Sequence, residues 1–358
     1  MLPLGTPALA AALDNLRRAV EFQEFVRLHF SEEADLSELA QQKGATRYVE
    51  ARNGSPSAPT FQVYVHCGSI TRLYAIYEAF VYELARSWLR EICALCVEWV
   101  DLPEALRKNY RSGVGILLQK YGGPRTAHLT EMKIIESLHK AFSGESNLEL
   151  IPDAFFIELH NLREDELLTL FSRIGLPDLA TWLTNHPEIH AHCEQQGMTV
   201  GSALKELVAY RNDAAHGEIE VDEVLGVSEL LSIVDFIQIL CCSLGEFVRA
   251  ELVDRAKAKG RYVVAGRVTE FFGGPQASIA KMQKVRVRLG DGFIARSATQ
   301  CFLTSVKSIQ VNGNSVEVVD TIQDQELGLC LSPAVRRGLE LISPVMAESD
   351  TLLSGAGA

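Results

Sequence analysis

Late in the chain, Tyr210-Arg211-Asn212-Asp213-Ala214-Ala215-His216-Gly217 places a permanent cation, an amide and an imidazole close together. On a helix of about 100° per residue, Arg211 and His216 point roughly 140° apart, whereas Asn212 and His216, four apart, share a face. Gly217 is a natural helix stop, so His216 sits where a side chain can leave the helical pattern. Ala214 and Ala215 allow another helix to approach closely. Guanidinium donors match phosphate oxygens, and an imidazole exchanges protons near neutrality. Such a cluster can hold a phosphodiester. The same spacing also fits a solvated Arg and a partly buried His with no chemistry at all.

The neighbouring sequence must build the helices that position these groups. MTVGSALKELVAYRNDAAHG starts with Thr199 or Ser202 as a cap and stops at Gly217. From Ser69 to about Val100 the chain has no Pro or Gly, which predicts a long core helix. Residues 222–259 predict a second, with Leu225, Leu230, Val234, Ile237 and Cys241 on its apolar face. An amphipathic helix is expected over 7–30 and a short one over 34–43, stopping at Gly44. Further helical patterns run over 103–120, 128–142, 151–160, 163–174 and 177–185. Around 45–67, ATRYVEARN and TFQVYVHCG alternate apolar and polar residues on either side of turn-rich GSPSAP, which predicts a hairpin. Beyond Gly260 the period changes to two, in short runs broken by Gly, Asn and Asp, and a small β-barrel is expected. The fold class expected is α+β, mainly α: a helical bundle with a small N-terminal β-hairpin, then a C-terminal barrel.

With 358 residues and 47% hydrophobic content, the chain is long enough for two or three domains, and disorder or a small disulfide scaffold is excluded. Its 8 cysteines lack framework spacing, so reduced thiols are expected. Cys93 and Cys96 form a CxxC without a second pair, and His190, His192 and Cys193 lack a partner cluster; core packing and no metal or cofactor are expected. No phosphate-binding loop of the P-loop type and no dinucleotide fingerprint is present. The apolar stretch 225–247 contains Glu229, Asp235 and Glu246, so no membrane span is expected. The first basic residue, Arg17, follows the N-terminal apolar run, opposite to a secretory signal, and a cytoplasmic location is expected. Charge is uneven: 255–343 hold 13 Lys+Arg against 7 Asp+Glu, a net of +6, while the rest hold 21 against 39, a net of -18.

The segment RNDAAH resembles the signature of the HEPN superfamily of helical bundles, an Arg and a polar residue with His following at Arg-x4-6-His, late in the bundle and before a long final helix. The early helix with YEAFVYELARSWL and the segment NLREDELLTLFSRIG are similar to the larger bacterial members. The resemblance implies a metal-independent endoribonuclease, acting as a homodimer in which the motifs of two chains meet across a cleft. Arg211 would then stabilise charge on phosphorus, and His216 would exchange a proton with the ribose 2′-OH or the leaving 5′-oxygen. Asn212 would orient His216 or bind a phosphate oxygen. Attack by the 2′-OH implies RNA and not DNA, with 2′,3′-cyclic phosphate products. Glu78, in YEAF, is implied near the motif, where it could pair with Arg211 or remain a helix-surface carboxylate. Toxin members often carry a Tyr two residues after the His, where this chain has Glu218. Some relatives bind nucleotides or protein partners without catalysis, and that alternative stays open.

The segment 263–342, with VAGRVTEFFG, VRVRLGDGFI and LCLSPAVRRGLELI, resembles the β-barrel second domain of translational GTPases, without the GTPase domain. The family's Gly-Asp turn is replaced here by Arg296-Ser297. This resemblance implies docking to RNA or protein of the translation apparatus, tRNA foremost. On KMQKVRVR, Lys284, Arg286 and Arg288 share a strand face, either as a phosphate-tracking strip or as a solvated surface. Aromatics for base stacking are limited to Phe271, Phe272 and Phe293.

Together these readings divide the chain into a HEPN-type helical domain over 1–254, a basic linker over 255–260, a translation-factor-like barrel over 261–343 and a disordered tail over 344–358. The expected activity is cleavage of translation-apparatus RNA by a toxin or anti-phage defence effector. A regulatory or activating protein partner would keep such a nuclease silent at rest.

Overall fold

Ser57 opens the helix on which the bundle is built: its side chain accepts a hydrogen bond from the Thr60 amide (3.4 Å), and Pro59 occupies the first turn, where its missing N–H costs nothing. The computed structural model that shows this describes residues 6–30, 56–96, 98–123, 126–143, 148–217, 219 and 223–345. Among the described residues the helices are α1 (Thr6–Phe30), α2 (Ala58–Leu95), α3 (Glu104–Gln119), α4 (Glu131–Ser143), α5 (Asp153–Phe156), α6 (Glu164–Arg173), α7 (Leu179–Asn185), α8 (Pro187–Gln196), α9 (Val200–His216) and α10 (Val227–Ala258).

The hairpin expected over 45–67 is corrected by α2. Its second strand, TFQVYVHCG, is helical, and its first lies outside the described residues. Local alternation yields here to tertiary burial, because a helix puts His66, Ser69, Ile70, Leu73 and Tyr77 on one buried face. The described chain divides into two units at Cys242/Ser243, earlier than the boundary expected from sequence, and α10 runs through that division. The basic run 255–260 is helical as far as Ala258.

In the first unit, α2 packs against both α1 and α9. Buried Trp88 donates to the carbonyl of Ile174 (2.8 Å), and buried Tyr77 to that of Leu162 (3.2 Å). The α1 residue Arg17 donates to Asp235 (2.7 Å) and Gln238 (2.6 Å) of α10. Helix α3 lies against α4 and α5, and Gly113 permits a close approach to α5: a Cβ there would clash with the Ala154 carbonyl oxygen. By length and composition α10 is, among the described residues, a helix that could cross a membrane; in the fold its Leu230, Val234, Phe236, Ile237 and Leu240 are buried.

Among its described residues the second unit carries nine strands, β1 (Tyr262–Phe272), β2 (Ala277–Met282), β3 (Arg286–Arg288), β4 (Gly292–Arg296), β5 (Cys301–Val311), β6 (Asn314–Val316), β7 (Val318–Asp320), β8 (Gln325–Ser332) and β9 (Glu340–Pro344). Six close into an antiparallel barrel in the order β4-β9-β1-β2-β8-β5, with β5 pairing back to β4. The small barrel expected beyond Gly260 is therefore present. Register shifts at Val264/Gly266, Val268/Glu270 and Val306/Ser308 bend the strands enough to close it. Asn312 (φ 49°) and Gly313 (φ 82°) take left-handed backbone in the two-residue turn from β5 to β6, as an Asn-Gly pair favours. Arg249 of α10 is buried within this unit and donates to the Cys301 carbonyl (2.7 Å), while Glu246 accepts from the Cys301 amide (2.8 Å).

Two glycines of α3 make a controlled pair. Gly113→Ala is expected to destabilise the fold by about 1–3 kcal/mol through overpacking against Ala154. Gly115→Ala, where nothing lies within 4 Å, is expected to stabilise it by about 0.5–1 kcal/mol. Denaturant midpoints at unchanged slope check both.

Candidate active site

Helix α9 begins with a reciprocal cap: the Ser202 amide donates to Thr199 Oγ1 (3.1 Å) and the Thr199 amide to Ser202 Oγ (2.9 Å). It ends at Gly217 with φ 73°, a left-handed conformation that an L side chain rarely adopts. The motif therefore occupies the last two turns of a helix fixed at both ends.

Arg211 is half-buried. Its Nη1 donates to Asn212 Oδ1 (3.0 Å) and Asn161 Oδ1 (3.4 Å), and its guanidinium carbon lies 5.0 Å from the centre of the Tyr74 ring. That ring is itself anchored: the Tyr74 hydroxyl accepts from the Leu162 amide (2.9 Å) and donates to Glu78 Oε1 (3.2 Å). Tyr77, one turn on, donates to the Leu162 carbonyl. The loop before α6 is thus held by Arg211 at Asn161 and by two tyrosines at Leu162.

These contacts gather Arg211, Asn212 and Glu78 around one phenol. Glu78 and Arg211 form no ion pair among the described residues; Tyr74 connects them. Asn212 uses its carbonyl oxygen on Arg211, which leaves its NH2 group as the donor for an anion. His216 lies exposed in the last turn of α9, and among the described residues its side chain makes no hydrogen bond to this network. Glu218 lies outside the described residues.

Sequence reasoning missed Tyr74 and Asn161. Tyr74 is four residues before Glu78 on the same helix face, a spacing that brings a phenol to a carboxylate. Asn161 is a polar residue three before the start of α6, and nothing in its local pattern points to Arg211. Burial, assisted by the Glu78 carboxylate, pushes the Tyr74 hydroxyl up to about 12; the hydrogen bond at Leu162 and the Arg211 charge oppose this. His66 is buried against the edge of Tyr210 (ring centres 5.7 Å), and its Nδ1 accepts from the Leu225 amide (3.2 Å). Burial holds this imidazole below its ordinary value.

On the barrel, Lys284, Arg286 and Arg288 are exposed, whereas Val287 between them is buried. Asp320, directly across from Arg286, partly offsets its charge (3.6 Å). Phe272 is exposed, but Phe293 is buried in the barrel and cannot stack on a base. Cys93 and Cys96 are buried in the helical unit, and burial pushes the Cys93 thiol up to about 12. In α8, His190 lies 3.7 Å from Glu194, while the His192 ring lies against Phe236.

A family model described as RiboL-PSP-HEPN matches residues 35–250, which include Glu78, Arg211, Asn212 and His216. No curated protein matches the chain.

Tyr74→Phe is expected to cost about 1–3 kcal/mol, because the buried Leu162 amide loses its acceptor. The pH dependence has a definite sign. Tyr74 keeps its proton up to about pH 12 in the fold, whereas an unfolded tyrosine releases it near pH 10. The unfolded state then binds fewer protons, so stability falls as pH rises from about 10 to about 12. Urea titrations across that range check this, and the fall should be smaller in Tyr74→Phe.

Proposed function

Because the chain belongs to the RiboL-PSP-HEPN family, we propose that it is a metal-independent endoribonuclease that cuts RNA of the translation apparatus, tRNA foremost. The observation that carries this reading is the company Arg211 keeps. Among the described residues its partners are two amide oxygens and an aromatic face, all uncharged, so its positive charge is oriented without a bound carboxylate among them. A guanidinium fixed in this way is preorganised for the charge that develops on phosphoryl oxygens.

In the proposed reaction the ribose 2′-oxygen attacks phosphorus and the P–O5′ bond breaks, leaving a 2′,3′-cyclic phosphate and a 5′-OH. His216 accepts the 2′-OH proton or delivers one to the departing 5′-oxygen. Arg211 and the Asn212 NH2 group bind the non-bridging oxygens. Glu78 acts as a positioning residue by holding the Tyr74 phenol beneath Arg211. DNA, which lacks the attacking hydroxyl, is not a substrate.

The protein would work in the cytoplasm as a homodimer, as a toxin or anti-phage defence effector, with a regulatory partner controlling its activity. The barrel would dock the RNA, with Lys284, Arg286 and Arg288 following its phosphates. A non-catalytic nucleotide- or partner-binding role is the second reading; the half-buried position of Arg211 against Asn161 and Tyr74 favours it to the extent that these contacts are purely structural.

Purified protein incubated with total tRNA in EDTA is expected to produce fragments with 2′,3′-cyclic phosphate ends. Arg211→Ala/His216→Ala should be folded and at least about 100-fold slower. Equal cleavage by the double variant would remove both residues from the mechanism. If neither protein cleaves, the binding-module reading gains. Dilution below the dimer constant should lower the rate with the square of chain concentration.

A further inference from the structure

Glu78 also lines a groove of about 800 Å³ in the helical unit, together with Tyr82, Arg86, Lys120, Phe156 and His160. This volume lies in the range of about 300–1,000 Å³ typical of small-molecule sites. The Tyr82 and Phe156 rings stand 5.0 Å apart, and the Arg86 guanidinium lies 5.3 Å from the Phe156 ring centre. All three side chains are half-buried, so they retain accessible faces. Aromatic and guanidinium planes of this kind accept the face of an unpaired base.

Two routes join the groove to Arg211. Glu78 and Tyr74 are one helical turn apart, about 6 Å along the axis. His160 lines the groove, while the adjacent Asn161 contacts Arg211. The connecting loop is braced, since Arg173 Nη1 donates to the Ile157 carbonyl (2.7 Å) and Lys120 pairs with Glu158 (2.6 Å). Glu158 has φ 64°, a backbone state that non-glycine residues rarely adopt and that persists where neighbours enforce it. A nucleotide whose phosphate sits at Arg211 would place a neighbouring base within reach of the groove.

The groove's charges select for a base over a bare phosphate, because Arg86 and Lys120 are outnumbered by Glu78, Asp153 and Glu158. Glu158 is engaged by Lys120, and Asp153 by His128 (3.1 Å). Among the described residues Glu78 accepts one hydrogen bond, on Oε1, which leaves Oε2 as an acceptor. A carboxylate in a base site matches adjacent N–H donors. Guanine presents two on its Watson–Crick edge, whereas adenine and cytosine offer one exocyclic amine and uracil one ring N–H. We propose that this groove binds a guanine base of single-stranded RNA, stacked on the accessible faces of the Phe156–Arg86 pair and read by Glu78, next to the phosphodiester at Arg211. The proposal rests on the ribonuclease reading only for what Arg211 holds.

The test uses full-length protein carrying His216→Ala and four fluorescent 2′-O-methyl hexamers, UUGUUU, UUAUUU, UUCUUU and UUUUUU, which cannot undergo 2′-OH attack. Anisotropy titrations are expected to show the guanine oligomer bound about tenfold more tightly than the others. Glu78→Gln should abolish that preference, read as the ratio of UUGUUU to UUUUUU affinity within the same variant, whatever it does to the affinity common to all four. Phe156→Leu and the more exposed Arg86→Gln should each weaken all four by about tenfold; thermal melts identify any variant that fails to fold, and Arg86→Gln then carries the test. Equal binding of the four oligomers, no binding, or a guanine preference that survives Glu78→Gln overturns the proposal. Cleavage of tRNA by the parent chain with no base preference would retain the ribonuclease and discard the groove. Guanine-selective binding without cleavage would do the reverse.

Discussion

The Arg211 guanidinium rests on the Tyr74 ring at 5.0 Å and donates to the amide oxygens of Asn161 and Asn212, and the rest of the site is arranged around that contact. Taking a cation partly out of water is costly unless its surroundings return part of the lost solvation. A π face and two carbonyl oxygens do so without cancelling the charge. A direct carboxylate partner would have stabilised the cation further while competing with any phosphate. Placing Glu78 on the far side of a phenol hydroxyl provides orientation without that competition.

The remainder of the bundle keeps the phenol in place. Helix α2 supplies Tyr74, Tyr77 and Glu78 within two turns, and the tyrosines secure both the N–H and the C=O of Leu162. Leu162 itself is buried, so its backbone groups need those partners. Trp88, further along α2, fixes the C-terminal end of α6 through the Ile174 carbonyl. The segment from Asn161 to Ile174 is therefore tied to α2 at both ends, and Arg211 bonds to Asn161 at the start of that tied segment. The close passage of α3 over α5 at Gly113 extends this rigidity to the wall that carries Phe156.

Much of this was legible in the sequence, and the exceptions have physical causes. The α9 cap and the Gly217 stop are local signals, since a hydroxyl and a missing Cβ act on their own backbone. The switch to period two beyond Gly260 marked the barrel because alternation reports directly on a half-buried strand. Thr60–Gly68 misled because its alternation is short, and a helix there buries His66 and Ser69 along with Ile70. Asn161 was invisible because its role depends on a residue 50 positions away, and no local spacing encodes that pairing. Glu78 was placed near the motif by resemblance; the tyrosine that joins it to Arg211 looked like any core aromatic.

The exposure of His216, outside the hydrogen bonds that anchor the guanidinium, bears on the proposed chemistry. A proton must leave the 2′-oxygen on one side of phosphorus while another reaches the 5′-oxygen on the opposite side. One imidazole cannot stand at both positions during a single displacement, and the chain offers one motif histidine. Had His216 been tied into the Tyr74 network, it could serve only the phosphate that its own Arg211 holds. Exposed at the end of α9, it would be accessible to a phosphate held by a second copy in the proposed homodimer. Two copies facing each other would supply two imidazoles and two guanidinium groups, so that one His216 could act as base and the other as acid. In the proposed homodimer such an arrangement would make assembly a requirement for chemistry, and a partner that held the copies apart would leave each Arg211 oriented and each site silent.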